Sequence, residues 1–217
     1  DTVTSIDQSA FYGCTKLSQV NLPPNLQFIG WCAFSGCTSL TSVEIPKSLT
    51  ECDSDVFADS GLTTATFEDG TTSILSNMFN SAEKLVNVTI PDTVTSIDQS
   101  AFYGCTKLSQ VNLPPNLQFL GWRAFAGCKS LTSVEIPKSL TECDSDVFAD
   151  SGLTTVTFEK GTTKIANSAF HSADKLVSVT IPNTVTSIGN SAFYGCTSLE
   201  KIELPDSVTS IEQDAFK

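Results

Sequence analysis

The side chains able to do chemistry in this chain are eight cysteines, one histidine and two Asp-x-Asp pairs. Cys14, Cys37, Cys105, Cys128 and Cys196 each lie three residues after a phenylalanine. Cys52 and Cys143 fall in a column otherwise filled by Ile6, Ile29, Ile74, Ile97, Leu120, Ile165, Ile188 and Ile211. Such placement follows a repeat rather than a disulfide framework, and it reads as buried small hydrophobes. Stacked neighbours about 4.8 Å apart would satisfy the Cα limits of a disulfide, but parallel side chains disfavour the bond. Cys32 stands apart: its counterpart one block later is Arg123 and its neighbours in register are Gln8 and Ser9, so it is expected at the solvent as a free thiol or an intermolecular link. Zinc is disfavoured because no C-x₂₋₄-C spacing occurs. His171 replaces Tyr12, Asn80, Tyr103 and Tyr194 at a turn, with no fixed nucleophile beside it in sequence. Asp53-Ser54-Asp55 and Asp144-Ser145-Asp146 suggest calcium, which needs six to eight oxygens; capping of the following turn is the simpler role. No catalytic residue, metal site or cofactor site is expected.

These positions are set by a strict period. Phenylalanines at 11, 34, 57, 79, 102, 125, 148, 170, 193 and 216 recur every 22 or 23 residues. The first nine are each followed by a leucine (17, 40, 62, 85, 108, 131, 153, 176 and 199) and then by alternating apolar residues such as Val20/Leu22 and Val43/Ile45. One short strand per period of this length is the mark of a leucine-rich repeat solenoid. A parallel β-sheet is expected on one face and short helical or 3-10 turns at the Ala-Phe steps on the other, with modest curvature. Serine or aspartate before the step (Ser9, Asp55, Ser100, Asp146, Ser191, Asp214) would cap those turns. The phenylalanines should stack along the axis. The coils at Leu62 and Leu153 are one residue shorter and carry Gly70 or Gly161 at the corner, where a positive φ is expected.

The chain reads as a single elongated domain, 1–217, because each coil buries its face only against its neighbours. Residues 1–91 and 92–182 match at all but 14 positions, and 183–217 begin a diverged third copy. Four coils are therefore the duplicated unit, and a site in one block recurs on the order of 19 Å away. The chain opens and stops inside a repeat, so it is expected to be a piece of a longer protein. A formal charge of -12 opposes nucleic acid and anionic membranes. No apolar run is long enough for membrane insertion. Unpaired sheet edges at the two ends would allow end-to-end self-association.

The pattern Leu-x-x-Val-x-Leu/Ile-Pro, then apolar residues such as Leu26 and Ile29, then Ala-Phe-x-x-Cys, resembles the repeats of the BspA-like (Treponema-type) leucine-rich surface proteins. The likeness spans 1–217. It implies a secreted or cell-surface protein that binds matrix, plasma or surface proteins and has no catalytic residues.

The expected binding face is the set of outward strand positions. In order these are Gln19, Asn21, Ser42, Glu44, Thr64, Thr66, Glu68, Asn87, Thr89, Gln110, Asn112, Ser133, Glu135, Thr155, Thr157, Glu159, Ser178, Thr180, Lys201 and Glu203. Trp31 and Trp122, at equivalent corners, are candidate exposed anchors; packing over a coil edge is the other reading. Two functions follow: a non-enzymatic, extracellular protein-binding scaffold for adhesion, or a structural spacer that presents another domain.

Overall fold

A computed structural model describes residues 2–217. Each coil has three walls. The first wall carries the longer strands, the second carries two-residue strands, and the third is built of turns. In chain order the strands are β1 (Ser5–Ile6), β2 (Phe28–Ile29), β3 (Ser42–Ile45), β4 (Glu51–Cys52), β5 (Thr64–Phe67), β6 (Ser73–Ile74), β7 (Asn87–Thr89) and β8 (Ser96–Ile97). They continue with β9 (Phe119–Leu120), β10 (Ser133–Ile136), β11 (Glu142–Cys143), β12 (Thr155–Phe158), β13 (Lys164–Ile165), β14 (Ser178–Thr180), β15 (Ser187–Ile188) and β16 (Ser210–Ile211). All pairings are parallel and join residues one coil apart, such as Val43 with Ala65 and Val134 with Val156. Side chains alternate across each strand, so Val43 and Ile45 are buried while Ser42 and Glu44 are exposed.

The walls are not continuous sheets. The long-strand wall divides into β3-β5-β7 and β10-β12-β14, and the second wall divides into three sheets. The breaks on the second wall, after Cys52 and after Cys143, fall in the shortened coils. There Gly70 and Gly161 take a φ of 95°, as the corner sequence predicts.

Between the walls runs a ladder of ten phenylalanines. From Phe11 to Phe216 successive rings lie 5.0 to 5.8 Å apart with planes within 15°. This is offset stacking, the favourable arrangement for like aromatic quadrupoles. In the shortened coils a second ring joins: Phe67 meets Phe79 and Phe158 meets Phe170 edge-on at 6.0 Å.

The third wall corrects the expectation of helical or 3-10 turns. Among the described residues there is no helix. The residue two before each ladder phenylalanine is left-handed, with φ between 52° and 60° from Ser9 through Asp214. A second left-handed residue follows two after most of them, for example Gly104 at 70° and Ser172 at 60°. Two such residues around each phenylalanine forbid a run of helical dihedrals. The amides then divide their labour. Ser100, Phe102 and Gly104 donate to Trp122, Ala124 and Ala126 of the next coil at 2.8–2.9 Å. Tyr103 and Cys105 instead close turns onto Ser100 and Phe102 at 3.1 and 3.2 Å. The serines and aspartates placed as caps therefore occupy left-handed backbone, which short polar residues tolerate better than most.

Candidate protein-binding interface

The outward strand positions form one exposed or half-exposed surface from Gln19 to Glu203. Two concavities indent it. The first, about 610 Å³, is lined by Gln110, Asn112, Ser133, Glu135, Thr157 and Glu159 among others. The second, about 290 Å³, is lined by Asn21, Glu44 and Glu68 with Val20, Leu22, Pro24 and Pro46. Every residue of the second has its counterpart 91 positions later in the first, so the duplication displays one concavity twice. Beside the concavities the rim is fixed by ion pairs. Glu68 meets Lys47 Nζ at 2.9 Å and Glu159 meets Lys138 Nζ at 2.7 Å, and each carboxylate also accepts the lysine's backbone N–H at 3.0 Å. Hydrogen bonds from these lysines hold both carboxyls below the usual glutamate range.

Both concavities open where the ladder stops. Among the described residues, 18–22 and 109–113 neither donate nor accept a backbone–backbone hydrogen bond, although strands on either side of 109–113 are paired to their other neighbours. No feature of the repeat's spacing signals this gap.

Trp31 and Trp122 lie at the start of the turn wall, away from the strand surface, and are 45 % and 37 % exposed. Their backbone amides donate to Asp53 Oδ2 and Asp144 Oδ2 of the next coil at 3.2 and 3.1 Å. The leading aspartate of each Asp-x-Asp pair is thus spent on a neighbouring coil, and Asp55 and Asp146 sit in left-handed backbone. Arg123 covers Trp122 at 4.6 Å. Cys32, expected at the solvent, is buried at 8 % exposure. It takes the left-handed position that Ser9, Asp55 and Arg123 share, yet those three are only half-buried.

All eight cysteines are free thiols. The column after the phenylalanines serves as hydrogen-bond donors: Cys37, Cys105, Cys128 and Cys196 Sγ point at the carbonyls of Phe11, Phe79, Phe102 and Phe170, at 3.1 to 3.3 Å. Burial pushes the Cys128 thiol up to about 12, which leaves no nucleophilic thiolate near neutral pH. Cys14, in the first coil, is exposed.

A cluster that spacing does not reveal joins Asp146, His171 and Ser172. His171 Nδ1 lies 2.8 Å from Asp146 Oδ1 and 3.0 Å from Ser172 Oγ, and the ring stacks on Tyr194 at 4.9 Å. A catalytic relay needs the carboxylate and the hydroxyl on opposite ring nitrogens; here both share one. The cluster is a staple between coils. Burial is the largest single influence on Asp146 and works against its charge, but the hydrogen bonds of His171, Ser172 and Trp122 and the charge interaction with His171 together outweigh it, and the carboxyl lies below its usual range. A depressed folded value adds stability that is complete above the unfolded value, near pH ~4, and is lost as pH falls through the folded value. Urea midpoints of the native chain should therefore drop more between pH 5 and pH 3 than those of Asp146→Asn. Equal slopes would remove the staple's role.

Among the described residues no group of three or more His, Cys, Asp and Glu could hold a metal ion. Likewise, no helix there is long and apolar enough to cross a membrane. Coil, ladder and parallel walls define the class as a leucine-rich repeat solenoid. The chain belongs to the BspA type leucine rich repeat family, whose pattern matches in six copies over residues 1–109 and 95–217. Solved structures agree in fold. A leucine rich cell surface protein of Faecalibacterium prausnitzii is 28 % identical over 99 % of this chain and 68 % of its own, with a TM-score of 0.50. The Treponema pallidum leucine rich repeat protein is 26 % identical over 84 % of this chain and 75 % of its own, at 0.52. A leucine-rich repeat protein of Bacteroides ovatus is 25 % identical over 99 % of this chain and 73 % of its own, at 0.51. No curated protein matches the sequence. A leucine-rich repeat protein-binding scaffold is what this family membership supports.

Proposed function

We propose that the chain mediates adhesion by docking host or neighbouring-cell proteins on its long-strand wall. A cell-surface or secreted location goes with the family. The observation that carries the reading is the pair of equivalent concavities among outward polar side chains. Broad solenoid walls of this kind bind extended surfaces through many modest contacts. The wall lacks large aromatic anchors, which favours wide contact over a single hot spot.

The near identity of residues 1–91 and 92–182 supports the spacer alternative, since copy number would then set only length. The two readings separate on one variant, Gln19→Ala/Glu44→Ala/Gln110→Ala/Glu135→Ala. These four side chains are exposed, so folding should be unaffected. Adhesion predicts at least a tenfold loss of binding to immobilised matrix or plasma proteins, read by surface plasmon resonance. Unchanged binding, with Trp31→Ala and Trp122→Ala as comparisons, would favour the spacer.

A further inference from the structure

We propose that the two concavities of the strand wall are paired receptors for basic side chains of one extended peptide segment. This deepens the docking reading and rests on it. The first argument is the state of the carboxylates. Glu44 and Glu135 project from the centres of β3 and β10 at the two concavities, and among the described residues neither has a cation within ion-pair reach. The neighbouring rim acids, Glu68 and Glu159, are already neutralised by Lys47 and Lys138. Of the four carboxylates lining the concavities, Glu44 and Glu135 are therefore the two left over.

The second argument is internal. Within its own coil Glu203 occupies the position that Glu44 and Glu135 hold in theirs, four residues after the coil's leucine, although in the four-coil register it corresponds to Asn21 and Asn112. There Lys201, two residues earlier on the same face, puts its Nζ 2.7 Å from Glu203 Oε1. The coils of Glu44 and Glu135 have Ser42 and Ser133 at the lysine's position. One coil therefore shows an ammonium meeting a carboxylate at this strand position, and the coils of Glu44 and Glu135 leave the place to an outside cation.

The remaining lining suits such a guest. Asn112 and Thr157 flank Glu135 and offer oxygen acceptors to the donors of a guanidinium or ammonium. The carbonyls of 109–113 are not used by neighbouring coils. The lining contains no aromatic ring, so a planar apolar ligand has nothing to stack on. A charge of -12 draws basic partners toward the chain.

The two receptors lie four coils apart, on the order of 19 Å, which about six extended residues span. A peptide with arginines six apart should engage both and gain at least about tenfold over a peptide with one arginine. The test uses fluorescein-labelled peptides in a Ser-Gly-Thr background, one with two arginines six apart and one with a single arginine, read by anisotropy at low ionic strength. Glu44→Gln and Glu135→Gln should each abolish the advantage of the second arginine. Ser133→Lys should do the same while leaving the carboxylate in place. Glu83→Gln, an exposed acid outside the concavities, should change nothing. Failure of the two-arginine peptide to bind, or an equal loss with Glu83→Gln, overturns the proposal. If the fourfold alanine variant still loses protein binding in that case, the docking wall stands without its basic-side-chain preference.

Discussion

Phe102→Ala is expected to cost about 3–5 kcal/mol of unfolding free energy, the range for deleting a buried aromatic. Phe102 is fully buried. Its ring lies between Phe79 at 5.5 Å and Phe125 at 5.2 Å, so truncation opens one void against two neighbouring coils. The cost is high because interiors are close-packed and relax only in part around a deletion. Phe216→Ala supplies the comparison. Phe216 is 39 % exposed and stacks only on Phe193, so it should cost less than half as much. Urea unfolding followed by circular dichroism measures both. Similar costs for the two variants would mean that stacking within the ladder is not what holds the coils together.

Gly152→Ala is expected to destabilise by about 3 kcal/mol, at the upper end of overpacking effects. A Cβ at Gly152 would stand 2.2 Å from the Lys129 carbonyl oxygen and 2.9 Å from its carbon. These are backbone atoms, and no rotamer change relieves them. The short coil explains the crowding. One residue fewer between Phe148 and Leu153 pulls the chain against the coil before it, where the Gly152 N–H donates to Cys128 O at 3.0 Å. Gly61→Ala, its counterpart, meets Thr38 O at 2.2 Å and should behave alike. A loss under about 1 kcal/mol for either would show that the shortened coils are looser than described.

The ladder and the strand faces were legible because both follow from a fixed period. Residues one beat apart must stack, and alternation then sends Val134 inward and Glu135 outward. The turn wall was not legible. Ser-Ala-Phe after a polar corner is also how a helix begins, and the sequence does not say that Ser100 and Phe102 donate to residues 22 positions away. The same blindness hid the staple, since Asp146 and His171 are 25 residues apart and meet only through the coil stacking. Cys32 was misplaced for a related reason. Its column neighbours Ser9 and Asp55 are polar and only half-buried on the same left-handed backbone, so neither the column nor the backbone marks this thiol as the covered one.

The surface itself was read as a row of positions, and the structure adds relief. The row Asn112, Glu135, Thr157 looks uniform in sequence, yet it becomes a concavity beside a stretch without ladder bonds. The two indentations concentrate what would otherwise be a flat polar wall into two places. They also explain why a duplicated block could matter for binding, since two equivalent weak sites on a rigid support gain by acting together.

Covalent footprinting of the chain with and without a bound adhesion partner tests the docking wall most directly. The strand wall as docking surface predicts reduced labelling at Gln110, Glu135 and Thr157 and at Asn21 and Glu44, with Trp31, Trp122 and Tyr103 labelled as before. Protection of those three aromatic residues on the turn wall, with the strand wall unchanged, would contradict it.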